Sequence, residues 1–465
     1  LERTGNDGNE FHQLPFALTP GPPLKTTTLR QSIESTAAAL AADLPQLPDT
    51  ALLDVLLRRS PRTRSGAPLP RGADVTAAIT TATLDLNSSY LAVHGPPGTG
   101  KTHTAARVIT QLVTNHGWRV GVVAQSHATV ENLLDCVIDA GLDPARIAKK
   151  HNDNHTPRWQ EIDSHHYPAF IADTPGCVIG GTAWDFANTN RVPPGSLDLL
   201  VIDEAGQFCL ANTVAVAPAA ANLLLRGDPQ QLPQVSQGTH PEQVDISALE
   251  WLVDGQSTLP DERGYFLDRT YRMHPAVCAA VSTLSYEGRL HSHAECTAAR
   301  RLDGCQPGVQ LLSVRHQGNS IESAEEADAI VAEIQRLLGR MWTDEHGARP
   351  LAESDVLVLA PYNAQVGLVR QRLASAGLDG VRVGTVDKFQ GAQAPVVFIS
   401  MTASSAEEVP RGISFLLNRN RLNVAISRAQ YAAVIVRSEV LTEYLPATPN
   451  GLVDLGAFLA LTPAS

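Results

Sequence analysis

The sequence is short of paired cysteines, of aromatic residues and of positive charge. None of its six cysteines (Cys136, Cys177, Cys209, Cys278, Cys296, Cys305) stands in a CxxC pair, which in a chain of 465 residues argues for reduced thiols and against a disulfide framework. The formal net charge is −12, which excludes a wholesale electrostatic binder of nucleic acid. It does not exclude a cleft that grips one strand, because such a cleft needs only a local positive lining. No apolar run approaches the ~20 residues that span a bilayer. The chain opens LERTGNDGNE, with neither a Met nor a charged-then-apolar leader, so no secretory signal is expected there. That start instead suggests a piece of a longer gene product, and the unpaired thiols suggest a cytoplasmic location. With 43% apolar and 18% charged residues, the composition is that of a globular protein with room for two or three domains.

Two local clusters stand out. Arg58, Arg59, Arg62, Arg64 and Arg71 fall in LLRRSPRTRSGAPLPRG with no acid among them, which reads either as a solvated linker or as a patch for phosphates. His291, His293, Cys296 and Cys305 lie within fifteen residues, in HSHAECTAARRLDGC. They could bind zinc, but the spacing fits no finger or ribbon, and the other reading is a polar surface loop.

Residues 1–75 are irregular: proline-rich pieces (TPGPPL, LPQLPDT, SGAPLPRG) flank one short helical pattern, SIESTAAALAADL. They read as a lead-in or the remnant of a preceding domain. From residue 88 strands alternate with helices. Apolar runs at 90–93, 120–124, 178–180, 197–202 and 222–225 predict buried strands, and Ala105, Val108, Ile109, Leu112 and Val113 share one helical face. The alternation resumes after residue 262, with runs at 309–314, 355–359, 381–383, 395–399 and 432–436. Two α/β domains with parallel sheets are expected, over residues 76–262 and 263–465.

Residues 95–102, GPPGTGKT, match the phosphate-binding loop. Gly95, Pro96, Pro97, Gly98, Thr99 and Gly100 would wrap the backbone round phosphate oxygens at a helix N-terminus. Lys101 would reach the β- and γ-phosphates, and Thr102 would offer its hydroxyl to Mg²⁺. LDLLVIDEAGQ sets Asp203 and Glu204 just past an apolar strand, where ligands collect. Asp203 is the expected second Mg²⁺ partner and Glu204 the base that orients the attacking water; the plainer alternative is a helix start. GDPQQLP places Gln231 where it could touch the γ-phosphate, although alone it would be an ordinary turn. The second domain supplies Tyr271 and Arg272 in LDRTYRMHP and Arg428 in RLNVAISRAQ. Arginines across a cleft from a triphosphate stabilise the charge of a dissociative phosphoryl transfer. Each alone could be structural.

Taken in order, GPPGTGKT, VVAQSHATVENLL, VIDEAGQ, GDPQQLP, TYRMHP, GTVDKFQGAQAPVVFIS and LNVAISRA resemble the superfamily 1 helicases over about residues 85–440. The resemblance is to the 5′→3′ branch that holds the nonsense-decay RNA helicase and the Okazaki-fragment nuclease–helicase. LLRRSPR and SYLAVHGPPGTGKT are more similar still to the helicase part of bacterial proteins that carry a RecB-like nuclease domain. This implies two tandem RecA-like domains with an ATP cleft between them, and an ATPase that moves on nucleic acid. By the same resemblance Tyr271 stacks on adenine, Arg272 and Arg428 contact the γ-phosphate, and Gly391 and Gln393 lie near the nucleotide. Ser126, His127, Thr182, Pro361, Tyr362, Asn363 and Thr385 would face the strand. Hydroxyls and amides on phosphates suit sequence-blind binding. For Tyr362 and Trp184, core packing is the alternative.

The chain departs from that family pattern in three places. Residues 70–80 contain no Gln where an adenine-reading Gln is expected, which leaves the choice of base open. Gln393 stands where the family tends to carry Glu, so a weaker ribose contact is expected. The β-barrel insertion of relatives is not evident, with 141–175 as a short substitute. The function expected is an ATP- and Mg²⁺-dependent translocase or helicase. It would be a monomer on single-stranded DNA, moving 5′→3′ in DNA repair or processing, with a nuclease domain or protein as partner and no membrane. The alternatives are an ATP-gated clamp that does not move, an RNA helicase and, more distantly, a protein-remodelling ATPase.

Overall fold

The computed structural model describes residues 24–152, 156–234, 240–389 and 391–461. The proline-rich TPGPPL, apart from Leu24, lies outside the described residues.

Two parallel sheets organise the chain. The first is built from β1 (Tyr90–His94), β2 (Arg119–Ala124), β3 (Ile147–Lys149), β4 (Gln160–Glu161), β5 (Cys177–Thr182), β6 (Leu197–Ile202), β7 (Ala220–Gly227) and β8 (Gly264–Phe266). Its strand order is β4-β3-β5-β2-β6-β7-β1-β8. A two-stranded pair, β9 (Arg269–Thr270) with β10 (His291–Ser292), follows it. A small antiparallel sheet comes from β11 (Arg301–Leu302), β13 (Met341–Asp344) and β14 (Gly347–Pro350). The second large sheet is β12 (Gly308–Ser313), β15 (Val356–Ala360), β16 (Arg382–Thr385), β17 (Ala394–Ser400) and β18 (Ala429–Arg437), in the order β12-β18-β17-β15-β16.

The ten expected runs all fall on strands; the inner strands are apolar along their length because helices cover both faces, whereas the edge strand β12 is partly exposed. Each sheet has a separate hydrophobic cluster on either face. Helix Lys101–His116 follows β1 and lays Ala105, Val108, Ile109, Leu112 and Val113 on the first sheet, as its spacing predicts. It ends at Gly117, whose φ of +67° lets its N–H turn back to the Leu112 and Val113 carbonyls.

Three expectations change. Gly264–Phe266 pairs with Ala92–His94, so the first sheet runs past residue 262 and takes in β8. Three residues are too few to show a strand pattern. From Leu24 on, the lead-in is a built part of the first domain: helices Thr27–Asp43 and Ala51–Leu56 form there, and Leu29, Leu52 and Val55 are buried in the same cluster as Ile202 and Phe208. Residues 141–175 form no barrel among their described residues. They add β3 and β4 to the edge of the sheet and a helix, Tyr167–Asp173.

The arginine cluster largely serves this docking. Arg58 lies 3.5 Å over the Trp251 ring and 3.1 Å from Asp254. Arg62 pairs with buried Asp54 at 2.9 Å, Arg59 lies 3.8 Å from the same carboxylate, and Arg71 donates to the Gly264 carbonyl over the Tyr265 ring. These guanidiniums are used within the fold, which overturns the reading as a free solvated linker. Among the described residues no group of three or more His, Cys, Asp or Glu is arranged to hold a metal. His293 instead stacks on Tyr271, with ring centres 4.7 Å apart.

Candidate nucleotide cleft and strand-facing loops

Every nucleotide-site residue of the first domain follows the carboxyl end of a strand: GPPGTGKT after β1, Asp203 and Glu204 after β6, and Gln231 after β7. In the second domain the polarity is reversed. Gly391 and Gln393 precede β17, and Arg428 immediately precedes β18. The two sets meet across a cavity of 860 Å³ lined by Lys101, Thr102, Glu204 and Gln231 on one side and Tyr271, Arg272, Gly391, Gln393 and Arg428 on the other. A second cavity, of 880 Å³, lies far from these loops, beside helix Thr27–Asp43.

The loop itself is tightly set. Gly98 has a φ of +75°, and a Cβ there would come within 2.4 Å of the Arg272 Cβ. The Gly98 carbonyl accepts from the Tyr271 N–H at 2.8 Å, and the Pro97 carbonyl from the Thr270 hydroxyl at 2.9 Å. The TYR segment is therefore stitched to the phosphate loop. Lys101 Nζ donates to the Gly95 and Pro96 carbonyls. Burial depresses its pKa, and Glu204 opposes that shift. Carbonyls holding a cation at this point mark a place that suits phosphate oxygens.

Asp203 is buried and Glu204 borders the cavity. Glu204 adopts a left-handed backbone, φ +50°, rare for a residue with a side chain, and its N–H donates to Asp203 Oδ1 at 2.7 Å. Burial pushes the Asp203 carboxyl up to about 6, against the pull of Arg226. Arg226 Nη2 lies 3.0 Å from Asp203 Oδ1 and 3.1 Å from Thr102 Oγ1. A hydroxyl and a carboxylate thus converge on one cation, and such hard oxygen donors fit Mg²⁺. Sequence reasoning passed over Arg226. Its signal is a charged residue closing the apolar run LLLR in a strand buried on both faces.

Across the cleft, Arg272 Nε donates to Gln393 Oε1 at 3.0 Å and its Nη1 to the Ser427 carbonyl at 3.2 Å. Gln393, expected near the ribose, is engaged by this arginine. Arg428 is buried and donates from Nε to the Val424 carbonyl at 2.9 Å. Burial lowers Arg272 to about 9 and Arg428 to about 10, so both stay cationic at neutral pH. Tyr271 is 49% exposed and lines the cavity, its ring stacked on His293.

Behind Gln231 runs a buried polar chain that the motifs did not disclose. Gln231 Nε2 donates to Asp228 Oδ2 at 2.9 Å, and Tyr286 Oη donates to the same oxygen at 2.7 Å. Asn423 Nδ2 donates to Tyr286 Oη at 2.8 Å and to the Gln230 carbonyl at 2.7 Å. His94, the last residue of β1, accepts the Leu259 N–H at Nδ1, so its Nε2–H donates to Asp228 Oδ1 at 3.1 Å. Burial alone would raise the Asp228 carboxyl; the hydrogen bond from His94, with Lys101 and the Gln231 amide, outweighs it and holds the carboxyl low.

The strand-facing candidates gather at the carboxyl ends of neighbouring strands. Ser126 and His127 follow β2, and Thr182 ends β5, with Ala124 opposite Thr182. Pro361, Tyr362 and Asn363 follow β15, and Thr385 ends β16, opposite Ala360. Ser126 Oγ caps helix His127–Asp139 by accepting the Thr129 N–H, and Thr182 Oγ1 donates to Asp185 at 3.1 Å. Burial lowers the His127 pKa, with Lys149 and Lys150 adding to it, and its Nδ1 is buried without a partner among the described residues. Tyr362 is half-buried against the core, 5.8 Å from Phe415, and Trp184 packs on the core while donating to the Lys25 carbonyl. Packing therefore accounts for Trp184, and for part of Tyr362.

Residues 76–251 and 244–439 each match a family model described as AAA domain. The chain is 27% identical over 410 residues to the DNA polymerase alpha-associated DNA helicase A of Schizosaccharomyces pombe, covering 72% of this chain and 59% of that protein. It is 25% identical over 362 residues to the DNA replication ATP-dependent helicase/nuclease DNA2 of Gallus gallus, covering 76% and 35%. To the regulator of nonsense transcripts 1 homolog of Drosophila melanogaster it is 26% identical over 403 residues, covering 74% and 32%. The chain thus spans less than two thirds of the length of these relatives. With their motifs in order round a single cleft, the chain belongs to the superfamily 1 helicases, in the group of the DNA2 helicase/nuclease and the regulator of nonsense transcripts.

Proposed function

We propose that the chain is an ATP-driven motor that moves along single-stranded nucleic acid, DNA in preference to RNA, in the 5′→3′ direction. The observation that carries this reading is the cleft. Its phosphate loop and carboxylates follow strands of the first sheet, while Arg428 precedes β18 of the second and Arg272, after β9, is held by Gln393 and Ser427 beside it. Hydrolysis in such a cleft requires both walls, so each turnover is tied to a relative movement of the domains.

In this reading Lys101 and the loop amides bind the triphosphate, Thr102 and Asp203 hold Mg²⁺, and Glu204 orients the attacking water. The metal, when bound, neutralises charge between the β- and γ-phosphates. Gln231 reports the γ-phosphate to Asp228, while Arg272 and Arg428 stabilise the charge that develops on the transferred group. Tyr271 stacks on the base, with Gly391 and Gln393 beside the sugar. Ser126, His127, Thr182, Pro361, Tyr362, Asn363 and Thr385 carry the strand on the neighbouring strand ends.

A monomer suffices, because one chain carries both walls. Work beside a nuclease in DNA processing, in the bacterial cytosol or nucleoid, is the setting proposed, on the strength of LLRRSPR and the phosphate-loop context. Among the described residues no helix is long and apolar enough to cross a membrane.

The test is ATP hydrolysis with single-stranded DNA, single-stranded RNA or no strand. Stimulation by DNA above RNA is expected, and no stimulation by either sinks the motor. Displacement of streptavidin from end-labelled oligonucleotides then separates a motor from a clamp: release at the 3′ end only is expected, and no release at either end means a clamp.

A further inference from the structure

Arg226 stands one residue before the end of β7, the strand between β6 and β1, opposite Val93. Its side chain is 3% exposed. A single terminal nitrogen, Nη2, sits 3.0 Å from Asp203 Oδ1 and 3.1 Å from Thr102 Oγ1, the two groups assigned to Mg²⁺. Lys101, the other cation of the first wall, turns to the Gly95 and Pro96 carbonyls and leaves those two groups to Arg226.

Resting on the reading of the cleft as a nucleotide site, we propose that Arg226 is a resident counter-cation that keeps divalent metal out of its seat until nucleotide arrives. Three arguments support it. A Mg²⁺ bound to Thr102 Oγ1 would lie about 2.1 Å from that oxygen. Arg226 Nη2 already takes the space between that oxygen and the carboxylate, so metal and guanidinium exclude each other. Two cations that close in a site shielded from water also repel strongly.

The third argument concerns what the arginine lacks. Its Nε and Nη1 are buried with no hydrogen-bond partner among the described residues. Asp203 and Thr102 thus satisfy only one corner of the guanidinium, and buried donors left unpaired are costly. A polyanion entering with its metal offers acceptors to those donors as the metal takes the seat. The exchange therefore runs only with nucleotide present, and Arg226 acts as a positioning residue that makes metal binding conditional on nucleotide.

The experiment is titration of Mn²⁺, followed by its electron paramagnetic resonance signal, into the full chain with and without a non-hydrolysable ATP analogue. Wild type is expected to bind one Mn²⁺ with the analogue and to show at least a ~10-fold weaker site without it, as hard-cation seats depend on ligand charge. Arg226→Met is expected to bind one Mn²⁺ without nucleotide, and Mn²⁺ alone should raise its melting temperature but not that of wild type. Arg226→Lys keeps a cation at the seat and should behave as wild type. A merely structural role would lower stability without creating a metal site.

Wild type binding Mn²⁺ equally well with and without the analogue overturns the proposal, even if Arg226→Met does not fold. So does metal binding by Arg226→Lys without nucleotide. Absence of Mn²⁺ from wild type even with the analogue would remove the nucleotide reading itself, and the exchange with it.

Discussion

Gly98 of the phosphate loop and Arg272 of the opposite wall are in contact with no room for a side chain: a Cβ on the glycine would lie 2.4 Å from the arginine Cβ. The phosphate loop and the wall that carries Arg272 therefore meet at a point. A change at one is felt at the other.

Gly98→Ala is the direct probe of that contact. The residue must keep a φ of +75° and displace Arg272. The left-handed backbone alone costs about 1–2 kcal/mol for a residue with a Cβ. The expected result is weaker nucleotide binding, read with a fluorescent nucleotide, together with a lower melting temperature. Wild-type affinity in this variant would show that the two walls are not coupled through the contact.

Arg428→Ala should remove turnover and largely spare binding. The guanidinium borders the cavity but is held by the Val424 and Ala392 carbonyls of its own domain. A loss in kcat of about 10³-fold or more is expected if it acts on the transition state, with nucleotide affinity changed only a few-fold. Normal turnover would refute the role.

Tyr286→Phe tests the chain behind Gln231. The change removes one donor to the buried Asp228 Oδ2 and one acceptor of Asn423. Stability should fall by about 1–3 kcal/mol, the cost of unpaired buried groups. Stimulation of ATP hydrolysis by a strand should fall with it. An unchanged melting curve would mean that the chain carries nothing between the domains.

The strand-facing residues can be told apart from helix caps. Ser126→Ala removes the acceptor of the Thr129 N–H and should cost about 1 kcal/mol of stability as a cap. His127→Ala removes no hydrogen bond of the ring Nδ1. Weaker single-strand binding, with nucleotide affinity intact, is expected for both variants in filter binding. Loss of stability alone, with strand affinity kept, would leave Ser126 as a cap and nothing more.

Beginning the chain at residue 75 should lower its melting temperature or prevent folding. Leu52 and Val55 are buried against the first sheet, and Arg58 lies on Trp251 at 3.5 Å. Wild-type melting of the shortened chain would make the docked lead-in dispensable.

Much of this could be read without coordinates. Strands buried on both faces are apolar without interruption, so β1, β2, β5, β6 and β7 of the first sheet and β15, β17 and β18 of the second announce themselves, and the edge strands β12 and β16 show shorter apolar runs. The phosphate loop, Asp203, Glu204, Gln231, Tyr271, Arg272 and Arg428 follow from residue type and position beside those strands. Short edge strands such as β8, and a lead-in whose helices are stabilised mainly by what they dock against, carry little local signal. The arginines of LLRRSPRTR look free in one dimension because Asp54, Trp251 and Asp254, which they meet, are partners made by the fold.

By itself, then, the sequence determined the two large sheets and the residues that gather round one cleft, because local periodicity and the backbone demands of a phosphate loop are written in neighbouring residues. Only the tertiary structure decided that the second sheet meets the cleft with the amino ends of β17 and β18, and that Gln393 is held by Arg272. It alone placed Arg226 on Thr102 and Asp203. Contacts between residues more than a hundred positions apart depend on sheet order and on what burial leaves unpaired, and neither is visible along the chain.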